Sequence, residues 1–249
     1  MKNIAIKTAY DGTCFCGWQV QPDGRSVSAE IIGAIKSVTG ETVKLYGSGR
    51  TDAGVHAYAQ VANFFTETNI PPRRLIGAIN AYLPKQIVVT DAWEADIDFN
   101  ARFSAKGKIY EYLIQNAEIP SPFLTDRVWH IKYHLDIEKM REAAKLLEGE
   151  HDFKAFMASG SFVKDTVRTI YSLNIDREGD LIRITVKGSG FLYNMVRIIA
   201  GTLVHVGRGK LNVSDVEHIL HSLDRTKGAI TAPACGLYLK EVLYGTDSL

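Results

Sequence analysis

The sequence predicts an α+β protein built from two ferredoxin-like halves, each ordered strand-helix-strand-strand-helix-strand. Three observations carry this. Short apolar runs of strand character recur, bounded by Gly, Pro or Asp. Between them lie stripes of helical period with capping residues at their ends. The same order then occurs twice, on either side of Lys106-Gly107. The expected domains are residues 1–104, which carry the Gly-punctuated loop Gly47 to His56, and residues 105–249, with one added helix.

In the first half, Asn3 to Tyr10 alternates and reads as a strand. Tyr10 to Pro22 is a loop punctuated by Gly12 and Gly17. Val27, Ile31, Ile35 and Val38 recur at helical spacing, with Ser26 as N-cap and Gly40 as stop. Thr42 to Tyr46 and Ala59 to Phe65 read as strands around the loop Gly47 to His56. A helix opens at Pro71-Pro72 and continues through Leu75, Ile76 and Ile79. Gln86 to Ala92, rich in Val and Ile, is the fourth strand.

In the second half, Ile109 to Gln115 reads as a strand. Ile137, Met140, Ala144 and Leu147 form a helical stripe after an Asp136 cap. Thr166 to Asp176 and Leu181 to Lys187 read as a hairpin across Glu178-Gly179-Asp180. Phe191 to Val206 reads as an apolar helix, Asn212 to Leu223 as an added amphipathic helix with Leu223 on its buried side, and Leu237 to Leu243 as the last strand.

The composition is that of a globular chain: 249 residues, 46% apolar and 23% charged. It excludes a disordered, collagen-like or disulfide-framework protein. With 29 basic and 28 acidic residues the net charge of +1 neither points to a polyanion nor excludes one held by a local patch. Three cysteines, Cys14, Cys16 and Cys235, suit a reducing compartment. No secretory signal opens the chain, and no uncharged apolar run approaches 18 residues, so a cytoplasmic protein with no membrane contact is expected. The Cys14-Phe15-Cys16 and histidine spacings do not match a metal site, and none is expected.

The chemistry concentrates in Gly47-Ser48-Gly49-Arg50-Thr51-Asp52-Ala53-Gly54-Val55-His56. Its glycines let the backbone bend and approach a ligand closely. It is neither a Walker loop nor a dinucleotide fingerprint, since no Gly-Lys-Ser/Thr and no helix follow. A carboxylate among small residues suits a nucleophile, a base or a ligand; the structural alternative is a turn in which Asp52 caps a backbone N–H. A second clue is Arg197, inside an almost wholly apolar stretch with no carboxylate at positions three or four away. A buried guanidinium calls for an anion, and Asp52 is a candidate from the other half. At 4 Å and an effective dielectric of 20 such a pair attracts by about 4 kcal/mol before desolvation. The alternatives are that Arg197 snorkels to solvent or binds a carbonyl.

These runs resemble the tRNA pseudouridine synthase A family over nearly the whole chain. The resemblance rests on Tyr10-Asp11-Gly12-Thr13, Gly17-Trp18-Gln19, Gly49 to His56 and Gln60-Val61 in the first half. In the second it rests on Phe103-Ser104-Ala105, Lys108 to Tyr112, Gly149 to Phe153, Arg168-Thr169-Ile170, Gly190 to Arg197 and Gly236 to Leu239. The resemblance implies that Asp52 is the catalytic nucleophile, that Arg197 pairs with it, that Tyr110 stacks on the target base, and that Arg50 helps hold the everted nucleotide. It further implies one large, mostly antiparallel sheet with helices on its outer side and a basic cleft. The implied enzyme is a cofactor-free homodimer acting on uridine at positions 38–40, in the anticodon stem-loop of tRNA. Lys154-Ala155-Phe156-Met157 departs from the family pattern, a cation having moved across Phe156.

Lys and Arg side chains expected to meet phosphate include Arg73, Arg74, Arg102, Lys108, Arg168, Arg208 and Lys210. Two other readings compete. One is a non-catalytic RNA-binding protein of the same fold, in which Asp52 is dispensable. The other is a carboxylate glycosidase, which requires a second acid that the loop does not offer.

Overall fold

The computed structural model describes residues 1–22, 24–160 and 163–245. Among them are ten strands and five α-helices, an α+β protein as expected. Contacts divide the chain into two compact units. Among the described residues, the first holds Met1–Lys106 and residues 238–245; the second holds Gly107–Leu237. The division is discontinuous in sequence. The closing strand, expected to belong with the second half, groups by contacts with the first, because it runs parallel to a first-unit strand at Tyr238↔His56 and Leu239↔Ala57.

The first unit runs β1 (Lys2–Tyr10), α1 (Val27–Thr39), β2 (Tyr46–Gly47), β3 (His56–Thr66), α2 (Pro72–Asn80) and β4 (Ile87–Ala95). Its strand order is β4-β1-β3-β2, the ferredoxin-like order, with antiparallel neighbours. The helix ends follow the sequence. Ser26 accepts the Ala29 N–H as N-cap, and Gly40 closes α1 at φ 76, a left-handed conformation that suits glycine. Pro72 opens α2, where a missing N–H costs nothing. Val27, Ile31, Ala34 and Ile35 of α1 and Leu75 and Ile79 of α2 turn inward, as do Ile4, Ile6 and Phe64 of the sheet. The expected strand at Thr42–Tyr46 is real only at Tyr46–Gly47. Val43 is buried there, but no ladder partner runs beside residues 41–45.

The second unit contains β5 (Gly107–Asn116), β6 (Trp129–Ile131), α3 (Ile137–Lys145), β7 (Gly149–Asp152), β8 (Val167–Glu178), β9 (Leu181–Gly188), α4 (Met195–Gly207) and α5 (Val213–Ser222). Strands β5-β9-β8-β7 are antiparallel, and β6 lies parallel to β5. Register places Tyr112, Ile184 and Ile175 side by side, with Ile114 and Ile182 in the next row, all buried. Asp136 caps α3 through the Lys139 N–H, as its position implied. The strand β10 (Leu237–Leu243) coincides with the expected last strand.

Two details of the helices differ from expectation. Residues Phe191–Tyr193 are not helical: α4 starts at Met195, behind Asn194 at φ 59. Their apolar character serves packing, Phe191 standing edge-on to Tyr110. Leu223 is not a buried helix residue: it ends α5 in a left-handed conformation and is 41% exposed. No helix among the described residues is long and apolar enough to cross a membrane.

Candidate active site

The loop around Asp52 is held by its neighbours in the first unit at almost every backbone step. Asp52 carbonyl oxygen accepts the Val55 N–H at 3.1 Å, closing a four-residue turn with Gly54 at φ 77 in its third position. A positive φ there is what a type II turn requires, and glycine meets it without strain. One residue earlier, Thr51 accepts the Trp18 N–H on its carbonyl at 3.1 Å. Its hydroxyl lies 2.8 Å from the Tyr10 hydroxyl in a buried pair. On the entering side, Ser48 N–H donates to Val61 carbonyl at 2.8 Å, and Gln60 donates to Gly49 carbonyl at 2.9 Å. Gln60 also accepts from the Ser48 hydroxyl.

The loop of residues 10–17 is laid directly against this turn. A methyl group at Gly17 would sit 2.5 Å from Thr51 carbonyl oxygen, and one at Gly12 would run into the Val55 carbonyl. The two backbones are in contact because neither position carries a side chain. Asp11 accepts from the Thr13 N–H at 3.0 Å and the Thr13 hydroxyl at 2.6 Å. His56 Nδ1 accepts the Gly12 N–H at 3.1 Å, and Asp11 Oδ1 lies 3.2 Å from the same nitrogen. One nitrogen serves one of these at a time: the Nε2–H tautomer accepts from Gly12, and a protonated Nδ1 donates to Asp11.

Asp52 itself is half-buried and Arg50 is exposed. Asp52 therefore sits on a fixed turn, only partly covered. Tyr10, Gly17 and Gln60 do the fixing. Sequence reading placed them in matching runs but assigned them no role. The signal available for Gly17 and Gln60 was position alone, since a hydrogen bond to a carbonyl across 11 residues leaves no periodic trace.

Tyr110 and Arg197 belong to the second unit. Tyr110 is 8% exposed, on the same sheet face as Tyr112, and its ring meets Phe191 edge-on at 5.1 Å. Tyr112 is a core residue: its hydroxyl donates to Pro233 carbonyl at 2.7 Å, and burial pushes its pKa far above the ordinary tyrosine value. Arg197 is half-buried in the first turn of α4. Its Nε donates to Ala232 carbonyl at 2.7 Å and Nη1 to Asn194 Oδ1 at 2.8 Å. One of its donors thus meets a backbone carbonyl and another a side-chain amide oxygen.

The family model described as tRNA pseudouridine synthase matches residues 6–104 and 143–245. A protein named tRNA pseudouridine synthase A from Thermoanaerobacter sp. (strain X514) is 50% identical over 244 residues, covering 98% of this chain and 100% of that protein. Its namesake from Acetivibrio thermocellus is 48% identical over the same length and coverage. The chain also aligns with a structure titled "Crystal Structure of a Cbf5-Nop10-Gar1 Complex" at 16% identity and a TM-score of 0.38, over 95% of this chain and 48% of that one. That last likeness is too slight to bear on function. The match of both halves to one family model, and of nearly the full chain to its named members, establishes that this protein belongs to the tRNA pseudouridine synthase family.

Proposed function

We propose that the protein isomerises uridine to pseudouridine in the anticodon stem-loop of tRNA, with Asp52 as the covalent nucleophile. The reaction breaks the bond from ribose to the base nitrogen, turns the base and closes a bond from ribose to carbon. The proton lost from that carbon is balanced by one gained on the released nitrogen. No oxidant, reductant or metal enters this balance. The observation that carries the proposal is the pinned turn that holds the half-buried Asp52, within the stretch 6–104 that the family model matches. A carboxylate held ready in this way serves nucleophilic catalysis.

Arg197 is assigned as the ion-pair partner of Asp52. Its hydrogen bonds to Ala232 and Asn194 support this by fixing the orientation of the guanidinium fork. Tyr110 is assigned to stacking on the everted base, supported by a ring braced edge-on by Phe191. Arg50, exposed two residues before Asp52, is assigned to helping hold the everted nucleotide. Extruding the base costs a few kcal/mol, which stacking of about 1–3 kcal/mol partly offsets. The working unit is assigned as a cofactor-free homodimer in the cytoplasm, with residues 1–104 and 105–249 as its domains apart from the closing strand, which groups by contacts with the first.

Incubating the protein with unmodified tRNA transcripts and mapping pseudouridine by site tests the assignment. Turnover by the wild type, with Asp52→Asn inactive but still binding RNA, is the expected result. Equal turnover by Asp52→Asn would overturn it.

A further inference from the structure

We infer that Tyr58 is the outer face of a nucleobase-stacking subsite, separate from Tyr110, that receives an unpaired base of the RNA substrate. The inference rests on the tRNA-modifying reading above. Three rings stack in the first unit. His56 and Tyr238 lie 4.5 Å apart at 18°, and Tyr238 and Tyr58 lie 5.0 Å apart at 14°. The stack runs from interior to surface: His56 is 2% exposed, Tyr238 8% and Tyr58 49%.

The backbone aims these rings together by two devices. Strand β10 pairs in parallel with β3 at Tyr238↔His56, which sets the first two rings side by side. The ladder between β1 and β3 then slips: Thr8 pairs with Gln60, but Tyr10 pairs with Ala57. Two residues of β1 therefore oppose three of β3, which is a bulge. Ala57 shares a face with Tyr10, so its neighbours His56 and Tyr58 project to the opposite face. Without the slip, Tyr58 itself would pair with Tyr10 and point the other way. The innermost ring is further held by the Gly12 N–H on His56 Nδ1.

A stack braced on one side and half-open on the other presents a flat, pre-ordered aromatic surface. Such a surface suits a nucleobase, whose flat π-face stacks on it whatever its sequence. The location argues for the substrate RNA. Tyr58 follows Asp52 by six residues, so the two α-carbons are at most about 22 Å apart even if fully extended. A nucleotide flanking the target is the ligand within that reach.

The test uses an anticodon stem-loop RNA and its variants with single abasic sites in the loop. Tyr58→Ala is expected to weaken binding by roughly ten-fold, while Tyr58→Trp and Tyr58→Phe retain wild-type affinity. One abasic position should weaken wild-type binding and have no further effect on Tyr58→Ala. With wild-type protein, ultraviolet crosslinking of RNA carrying 5-iodouridine at that position should label the peptide containing Tyr58. Unchanged affinity for Tyr58→Ala, or crosslinks that avoid that peptide while forming elsewhere, overturns the subsite. Absence of pseudouridine formation by the wild type is a separate result, which overturns the catalytic reading and leaves the binding measurements to decide the subsite.

Discussion

The hydroxyls of Tyr10 and Thr51 meet at 2.8 Å inside the first unit, and the residue after Thr51 is Asp52. A buried pair between the end of β1 and the turn is thus what fixes the approach to the carboxylate. Tyr10→Phe leaves the Thr51 hydroxyl buried without that partner. The expected loss is about 1 kcal/mol of stability, with the range for such deletions near 1–3. Urea denaturation measures it, and an unchanged midpoint would show that the pair does not anchor the turn.

Two glycines should respond to alanine with opposite signs. Gly17 has φ 106 and faces Thr51 carbonyl oxygen at 2.5 Å from any added methyl. Backbone strain and a clash with unyielding backbone should cost Gly17→Ala roughly 1–3 kcal/mol and lower turnover through the displaced turn. Gly33 lies exposed inside α1 with nothing near its missing Cβ. Gly33→Ala should stabilise by about 0.5–1 kcal/mol and leave turnover alone. Thermal melts of the two variants side by side check the contrast.

Arg197 and Ala232 exchange two hydrogen bonds: Nε donates to Ala232 carbonyl at 2.7 Å, and Ala232 N–H donates to Arg197 carbonyl at 3.1 Å. Lysine keeps the charge but lacks the fork that also reaches Asn194 at 2.8 Å. Arg197→Lys is therefore expected to lose about 1–2 kcal/mol of stability and most of its turnover. Full activity in a steady-state assay would remove Arg197 from the proposed site.

Stability should fall on acidification through the ordinary histidine range. His205 in α4 has its pKa lowered, first by burial and then by the charges of Lys210 and Arg208. The unfolded chain takes up its proton near 6.5, the ordinary value, while the folded chain resists. Unfolding is thus favoured progressively as pH drops from the unfolded pKa through the lower folded one, and above 6.5 the group contributes no pH dependence. Melting temperatures from pH 7.5 to 5 should show a shallower decline in His205→Asn than in the wild type. Parallel curves would remove His205 as a contributor.

The strands, helices and caps of this chain were largely legible because they rest on local chemistry. Ser26, Gly40 and Asp136 act where they stand, and the alternation of Leu181 to Lys187 follows from one buried face. The elements that sequence reading missed lack such a local cause. The strand β6 is three residues beside β5, and β7 is a polar edge, Gly-Glu-His-Asp, made a strand only by pairing with β8. The apolar run Phe191–Tyr193 imitates a helix because packing against Tyr110 asks for the same residues that a helix would.

By itself, then, the sequence determined the α+β class, the order of the elements other than β6 and β7, the Asp52 loop and the family. These depend on periodicity, turn residues and a specific run of side chains, all of which are properties of neighbours in the chain. Only the tertiary structure decided how the loop is held: Tyr10 against Thr51, Gly17 against its carbonyl, Gln60 across to Gly49. It also decided that a one-residue slip in β3 sends Tyr58 outward onto the stack of Tyr238 and His56. Ladder register and backbone contact join residues far apart in sequence, and no local pattern encodes them.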